Sequence, residues 1–269
     1  GNDLAAEGQN VYGRCDKGFV KMILAKMYLN AEVYVGEDRY ADCAAICEDL
    51  VATYSLAENF ADLFAADNDR FAVGTEEIIF AVPHDGINTT SYGGTNFLIF
   101  AGTGGDMIPA GISSGWGGLS VTKQVAERYA EGDVRAMFFT DYGTEIVDIF
   151  TFTSGGYKSQ KFTNVNHDGT AASAQGHVDT DWPLFRVADA HLMLAECAAR
   201  GKADNAKGLK SLNAVRERAG LDAVSTFTAQ DVLDERSREL MWEGHRRSDL
   251  IRYGQFTTDA YLWEYKGAV

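Results

Sequence analysis

Two aromatic side chains stand where glycine is densest: Tyr92 in Ser91-Tyr-Gly-Gly-Thr-Asn96 and Trp116 in Ser114-Gly-Trp-Gly-Gly118. A flat ring on a backbone freed of bulky neighbours is suited to stacking. Sugar rings offer an apolar C–H face and a rim of hydroxyls. An aromatic plate fits beneath that face while nearby amides and carboxylates take the hydroxyls. Glycine lets backbone and ring reach outward without steric conflict. The competing reading is packing, with one or both rings folded under the loop as a small satellite core. Residue types alone leave both readings open.

Other chemistries find less support. There is no G-x-x-x-x-G-K-[ST], H-E-x-x-H or G-x-S-x-G. The glycine pairs at 93–94, 104–105 and 117–118 lack the strand-to-helix setting of a dinucleotide fingerprint. His84, His167, His177, His191 and His245 are scattered without metal spacing, and His191, on a helical pattern, reads as a structural histidine. Asp67-Asn-Asp69 resembles the opening of a calcium loop without the Gly and closing Glu of an EF-hand, so a calcium site and a solvated turn both stay open. The ladder Glu235, Glu239 and Glu243 sits among Arg236, Arg238, Arg246 and Arg247. That spacing predicts ion pairs on a helix surface, and nothing in it shows the two facing carboxylates of a glycosidase. Cys15, Cys43, Cys47 and Cys197 lack the further ligands of a zinc site and read as buried free thiols. No catalytic residue and no other cofactor are expected.

The net charge of −15, from 39 acids against 24 bases, argues against nucleic acid and against anionic lipid. A neutral ligand suits it. The 269 residues allow a sizeable core, and no apolar run reaches the roughly 18 residues of a membrane-spanning helix.

The elements that must position the rings read as follows. Residues 17–34 and 38–54 carry helical apolar spacing and are joined through Gly36, which makes an antiparallel hairpin. Residues 185–200 and 203–219 repeat the arrangement, and Ala25-Lys-Met-Tyr-Leu29 can be laid over Ala188-Asp-Ala-His-Leu192. This is the pattern of a tetratricopeptide-type hairpin used twice. A last helix starts at a capping box, Thr228 with Asp231, and runs to Gly244, with a further turn at 249–253. Between the hairpins, 77–82 reads as a strand stopped by Pro83. Ten glycines then fall between residues 84 and 118, too many for a helix. Phe97, Ile99, Phe100 and Ile108 are too apolar for a simple linker, so the stretch is an ordered loop excursion of the kind that tends to carry function. Residues 119–130 look helical and 147–180 irregular. The fold class is mainly α: tetratricopeptide-like helical hairpins with a long Gly-rich loop region carrying the ligand face.

Four stretches then resemble one family. Gly18-Phe-Val-Lys-Met-Ile-Leu-Ala-Lys-Met-Tyr-Leu-Asn-Ala31, Phe185-Arg-Val-Ala-Asp-Ala-His-Leu-Met-Leu-Ala-Glu196, Leu212-Asn-Ala-Val-Arg-Glu-Arg-Ala-Gly220 and the segment from Leu233 to Arg252 are similar, in order and spacing, to the helix motifs of the SusD/RagB family. The resemblance implies a single domain over 1–269, with scaffold 15–56 and 185–256 and a loop-rich ligand region 84–180. It implies a surface lipoprotein of the Bacteroidetes outer membrane that binds glycan without cleaving it. It also implies a SusC-like TonB-dependent transporter as the partner that receives the oligosaccharide. Family members are longer, so the upstream part with its lipid-bearing cysteine and further aromatics is expected to lie outside this chain; Cys15, in Gly13-Arg-Cys-Asp16, is not that anchor. Glu77-Ile-Ile-Phe80, Tyr92-Gly-Gly-Thr-Asn-Phe-Leu98 and Gly115-Trp-Gly-Gly-Leu119 resemble the starch-binding founding member. By that likeness Tyr92 and Trp116 carry over as glycan-stacking residues on an arc that favours an α-glucan, while Tyr28, Phe185 and Trp242 stay with the scaffold. Two alternatives remain: a binder of a different glycan, and a helical-repeat module that holds a protein.

Overall fold

A computed structural model describes residues 3–104, 110–148 and 155–259. Ile108, Gly105, part of the 147–180 stretch and the terminal Trp263 and Tyr265 lie outside the described residues. The chain divides into two compact units, 1–58 with 71–80 and 183–262, and 59–70 with 81–182 and 263–269. The expected scaffold segments fall in the first and the loop-rich region 84–180 in the second.

The first unit is built from two helical hairpins. α1 (Lys17–Leu29) begins where Asp16 accepts the Phe19 N–H at 3.0 Å, satisfying one of the orphan donors of its first turn. The helix expected over 17–34 is broken in two. Asn30 turns its side-chain amide back onto the Lys26 carbonyl and ends α1, and α2 (Ala31–Val35) stops at Gly36 in the left-handed region, φ 72°. α3 (Tyr40–Thr53) returns beside α1. Met22, Ala25 and Leu29 of α1 pack with Cys43, Cys47 and Leu50 of α3 and with Val187, Ala190 and Cys197 of α6 (Val187–Ala199). α7 (Asn205–Arg218) follows, and small residues let it approach α6 closely. A methyl group on Gly208 would lie 2.2 Å from the Ala198 Cβ. Leu192 and Ala195 join Leu212, Val215, Val232 and Leu240 in a second core, onto which α8 (Ala229–Glu239) folds from the expected capping box at Thr228 and Asp231. α8 ends at Glu239, before Gly244, with Leu240 as its C-cap, and Trp242 in the turn that follows takes a left-handed conformation, φ 62°. α9 (Arg246–Arg252) closes the set. Residues 182–186 form a strand, β4 (Trp182–Arg186), paired with β1 (Ile78–Val82), where helical spacing began the third helix at 185.

Three thiols, Cys43, Cys47 and Cys197, are buried as expected, with Cys43 and Cys47 sulfurs 3.9 Å apart. Cys15 is exposed, on the irregular segment before α1, which corrects the reading of four buried thiols.

The glutamate ladder also departs from expectation. Glu235 and Glu239 are fully buried and Glu243 nearly so. They face inward because cations from other elements meet them there. Arg186 of β4 reaches Glu77 at 2.5 Å, Glu239 at 2.9 Å and Glu243 at 2.7 Å, and Arg218 of α7 reaches Glu77 at 2.9 Å and Glu239 at 2.5 Å. Arg236 serves a second cluster, bonding Asp189 at 2.8 Å and Asp249 at 2.9 Å, while Arg252 binds Glu196 and Asp249. Such pairs join β4, α6, α7, α8 and α9 through charges that have left water, where losing one partner costs far more than it would at a surface.

His245 borders the second cluster. Its Nδ1 lies 3.0 Å from the Lys26 ammonium and 3.7 Å from Asp189, with Arg236 and Asp249 also near. Burial, and then the Lys26 charge, push its pKa down to about 4 from 6.5. The native protein therefore resists the proton that the unfolded chain accepts. Stability contributed by neutral His245 is intact above pH 6.5 and lost as pH falls towards about 4, by about 3 kcal/mol at most. His245→Gln is expected to flatten that part of the stability–pH curve, measured by urea unfolding between pH 4 and 7.

In the second unit the glycine-rich stretch contains a helix, α4 (Gly94–Gly102), where none was expected. Its glycines stand at the ends, and Thr95–Ala101 between them is glycine-free, so the propensity cost falls where helices tolerate it. Gly94 itself sits at φ 61°. The helix expected over 119–130 is a single turn, α5 (Lys123–Ala126). β2 (Phe138–Phe139) pairs antiparallel with β3 (Lys158–Ser159), and most of 155–181 is irregular as expected.

Candidate functional site

Tyr92 and Trp116 are brought together, with ring centroids 6.0 Å apart and planes tilted by 49°. Neither is sealed inside the unit: Tyr92 is 69% exposed and Trp116 41%. Phe100, buried on α4, lies 4.9 Å from the Trp116 ring and supports it. Phe97, 44% exposed, adds a third ring beside Trp116 at 6.4 Å, and the His177 imidazole stands 5.3 Å from Tyr92.

The glycines explain how Trp116 comes to its place. The segment 115–119 runs along the C-terminal end of α4 and satisfies carbonyls that a helix end leaves without partners. Trp116 N–H donates to Phe100 O at 2.7 Å, Gly117 N–H to Thr103 O at 3.0 Å and Leu119 N–H to Ala101 O at 3.0 Å. A side chain at Gly115 would strike the Thr103 carbonyl oxygen at 2.0 Å, so the close approach requires glycine there. The backbone next to Trp116 is held by hydrogen bonds, and the ring is what projects.

Tyr92 is positioned by buried polar contacts between 84–96 and 164–181. Thr95 donates to Thr180 O at 2.6 Å, Asn96 accepts the Val178 N–H at 3.2 Å, and Asp181 accepts the His84 N–H at 2.6 Å. Asn164, fully buried, donates to Gly111 O and Ala174 O and accepts the Asp179 N–H. Asn68 closes a similar clamp on both backbone groups of Asp181. Burial raises the Asp181 carboxyl to about 6, against the His84 N–H that lowers it. At Asp67-Asn-Asp69, Asp67 is engaged by His167 at 2.5 Å and faces Arg70, and Asn68 is used in the clamp. Among the described residues no three His, Cys, Asp or Glu groups gather as metal ligands.

The sequence reading missed Phe97 and His177 as neighbours of the rings. Phe97 could have been found from helical spacing once α4 was recognised, since Phe100 lies three residues further on. His177 reaches the site through tertiary folding alone. The assembled face is apolar at its centre, tilted between its two main plates, and flanked by an imidazole.

Residues 138–268 match the SusD family. The chain is 32% identical to the starch-binding protein SusD of Bacteroides thetaiotaomicron, across 98% of its own length and 56% of that protein. The chain belongs to the SusD family. A shorter match, 42% identical over 81 residues, links it to the SusD-like protein P25 of Formosa agariphila, covering 26% of this chain and 15% of that protein. Among solved structures, surface glycan-binding protein A from Bacteroides thetaiotaomicron in complex with laminarihexaose superposes with a TM-score of 0.76, at 23% identity, over 98% of this chain and 60% of that one. A SusD superfamily protein from Parabacteroides distasonis gives 0.70 at 24% identity, over 93% and 54%. These structures bear out a mainly helical SusD-like fold with tetratricopeptide-like hairpins. The chain spans between half and two thirds of the length of SusD and of both structures.

Proposed function

We propose that the chain is the glycan-holding part of a SusD-like surface protein, and that Tyr92 and Trp116 stack against a glucan. The observation that carries the reading is the pair of exposed rings, 6.0 Å apart and tilted, backed by a buried Phe100. Their tilt of 49° makes a bent platform. Successive units of a coiled α-glucan turn relative to one another and can lay a C–H face on each plate, whereas a flat ribbon meets only one. The likeness to a starch-binding relative supports the same ligand. An acidic chain suits a neutral polymer. Binding without cleavage fits a face made of rings. In the whole protein, capture at the outer surface of the outer membrane, on a lipid anchor, would hand the oligosaccharide to a SusC-like transporter.

A β-glucan is the second reading, favoured by the laminarihexaose bound to a protein of similar fold. Calorimetric titration with maltoheptaose, laminarihexaose and cellohexaose separates them. Maltoheptaose is expected to bind tightest; preference for either β-linked sugar overturns the α-glucan assignment.

A further inference from the structure

The second unit contains a pocket of about 360 Å³ that neither Tyr92 nor Trp116 lines. Its floor and walls include Phe162 and Val165, and its polar lining includes Asp62, Gln160, Asn166 and His167. The fold has already committed some of these groups, and what it leaves over is informative. His167 gives both its backbone N–H, at 2.9 Å, and its Nδ1, at 2.5 Å, to the Asp67 carboxylate. This holds the ring through Nδ1 and leaves Nε2 as the ring nitrogen that Asp67 does not engage. The Asn166 amide nitrogen donates to Thr170 Oγ1 at 3.0 Å and Ala171 O at 3.2 Å, leaving its carbonyl oxygen. Gln160 spends its backbone N–H on Met137, while its carboxamide has no partner among the described residues. Asp62 is offset by Arg70 at 3.0 Å. Phe162 is held flat against Trp182, with ring planes 8° apart.

We infer that this pocket is a second saccharide site, taking one or two neutral sugar units, separate from the aromatic face. Its volume lies at the lower end of the roughly 300–1,000 Å³ of small-molecule sites. Acceptors left over from the fold suit ligand hydroxyls, which donate. The apolar side offered by Phe162 and Val165 suits a C–H face. Among the described residues that line it, Asp62 is the one carboxylate, and it is paired to Arg70. Thr103 lines the pocket and also accepts the Gly117 N–H beside Trp116. The choice of saccharide as ligand class rests on the function proposed above.

The test is NMR titration of the ¹⁵N-labelled chain with glucose, galactose, mannose and maltose. At least one is expected to give saturable shifts at Gln160, Asn166 and His167. These shifts should persist in Trp116→Ala and weaken about tenfold in the surface variant Gln160→Ala/Asn166→Ala, as the loss of two hydrogen bonds requires. Shifts confined to the surroundings of Tyr92 and Trp116 overturn the second site and leave the aromatic face standing. If maltoheptaose as well moves neither region, both readings fall.

Discussion

Trp116→Ala is expected to weaken maltoheptaose binding about thirtyfold, about 2 kcal/mol, while the far-ultraviolet circular dichroism and the unfolding midpoint stay near those of the parent. The size follows from what the ring does. It is the plate with a buried partner beneath it, Phe100 at 4.9 Å, so its own freedom is already restricted before a sugar arrives. The fold should survive because the hydrogen bonds of 115–119 to α4 are made by backbone N–H groups, which alanine keeps. Tyr92→Ala should lose less, since Tyr92 is 69% exposed and rests on fewer neighbours. Titration calorimetry of the three proteins decides it; unchanged heats in Trp116→Ala would remove that ring from the site.

Arg186→Met is expected to cost about 3–5 kcal/mol of folding stability. Arg186 is 1% exposed and bonds three carboxylates from two other parts of the chain. Removing it leaves Glu77, Glu239 and Glu243 buried with Arg218 as the cation that still bonds Glu77 and Glu239. Methionine fills the volume without supplying a donor. Domains of this kind are stable by about 5–15 kcal/mol, so the variant can sit near the threshold of folding. Arg186→Lys, which keeps the charge and loses the planar fork onto Glu243, should fall between parent and Arg186→Met in urea unfolding. A parent-like midpoint for both variants would show that the cluster carries no such stability.

How much of this was legible beforehand depends on range. The hairpin helices were readable because Met22, Ala25 and Leu29, or Leu212 and Val215, repeat at helical spacing, and periodicity is a local signal. Their ends were less so: Asn30 ends α1 with a side-chain hydrogen bond to the Lys26 carbonyl, and α8 stops at Glu239, neither of which spacing records. The burial of Glu239 and Glu243 was misread because Arg186, which meets both, and Arg218, which meets Glu239, come from distant parts of the chain. Nearby arginines on α8 suggested a surface arrangement instead. At the site, glycine density marked Tyr92 and Trp116 correctly as unusual, yet the same density hid α4. Counting glycines ignores that Gly94 and Gly102 lie at its two ends. The clamps of Asn68, Asn164 and Asp181 hold the face together through single polar side chains, and no repeat announces them.

The most direct measurement is a crystal structure of the chain with maltoheptaose. It should show consecutive glucose units with C–H faces against Trp116 and Tyr92, at ordinary van der Waals distance, following the bend between the two rings. A well-ordered sugar bound elsewhere, with both rings bare to solvent, would contradict the account.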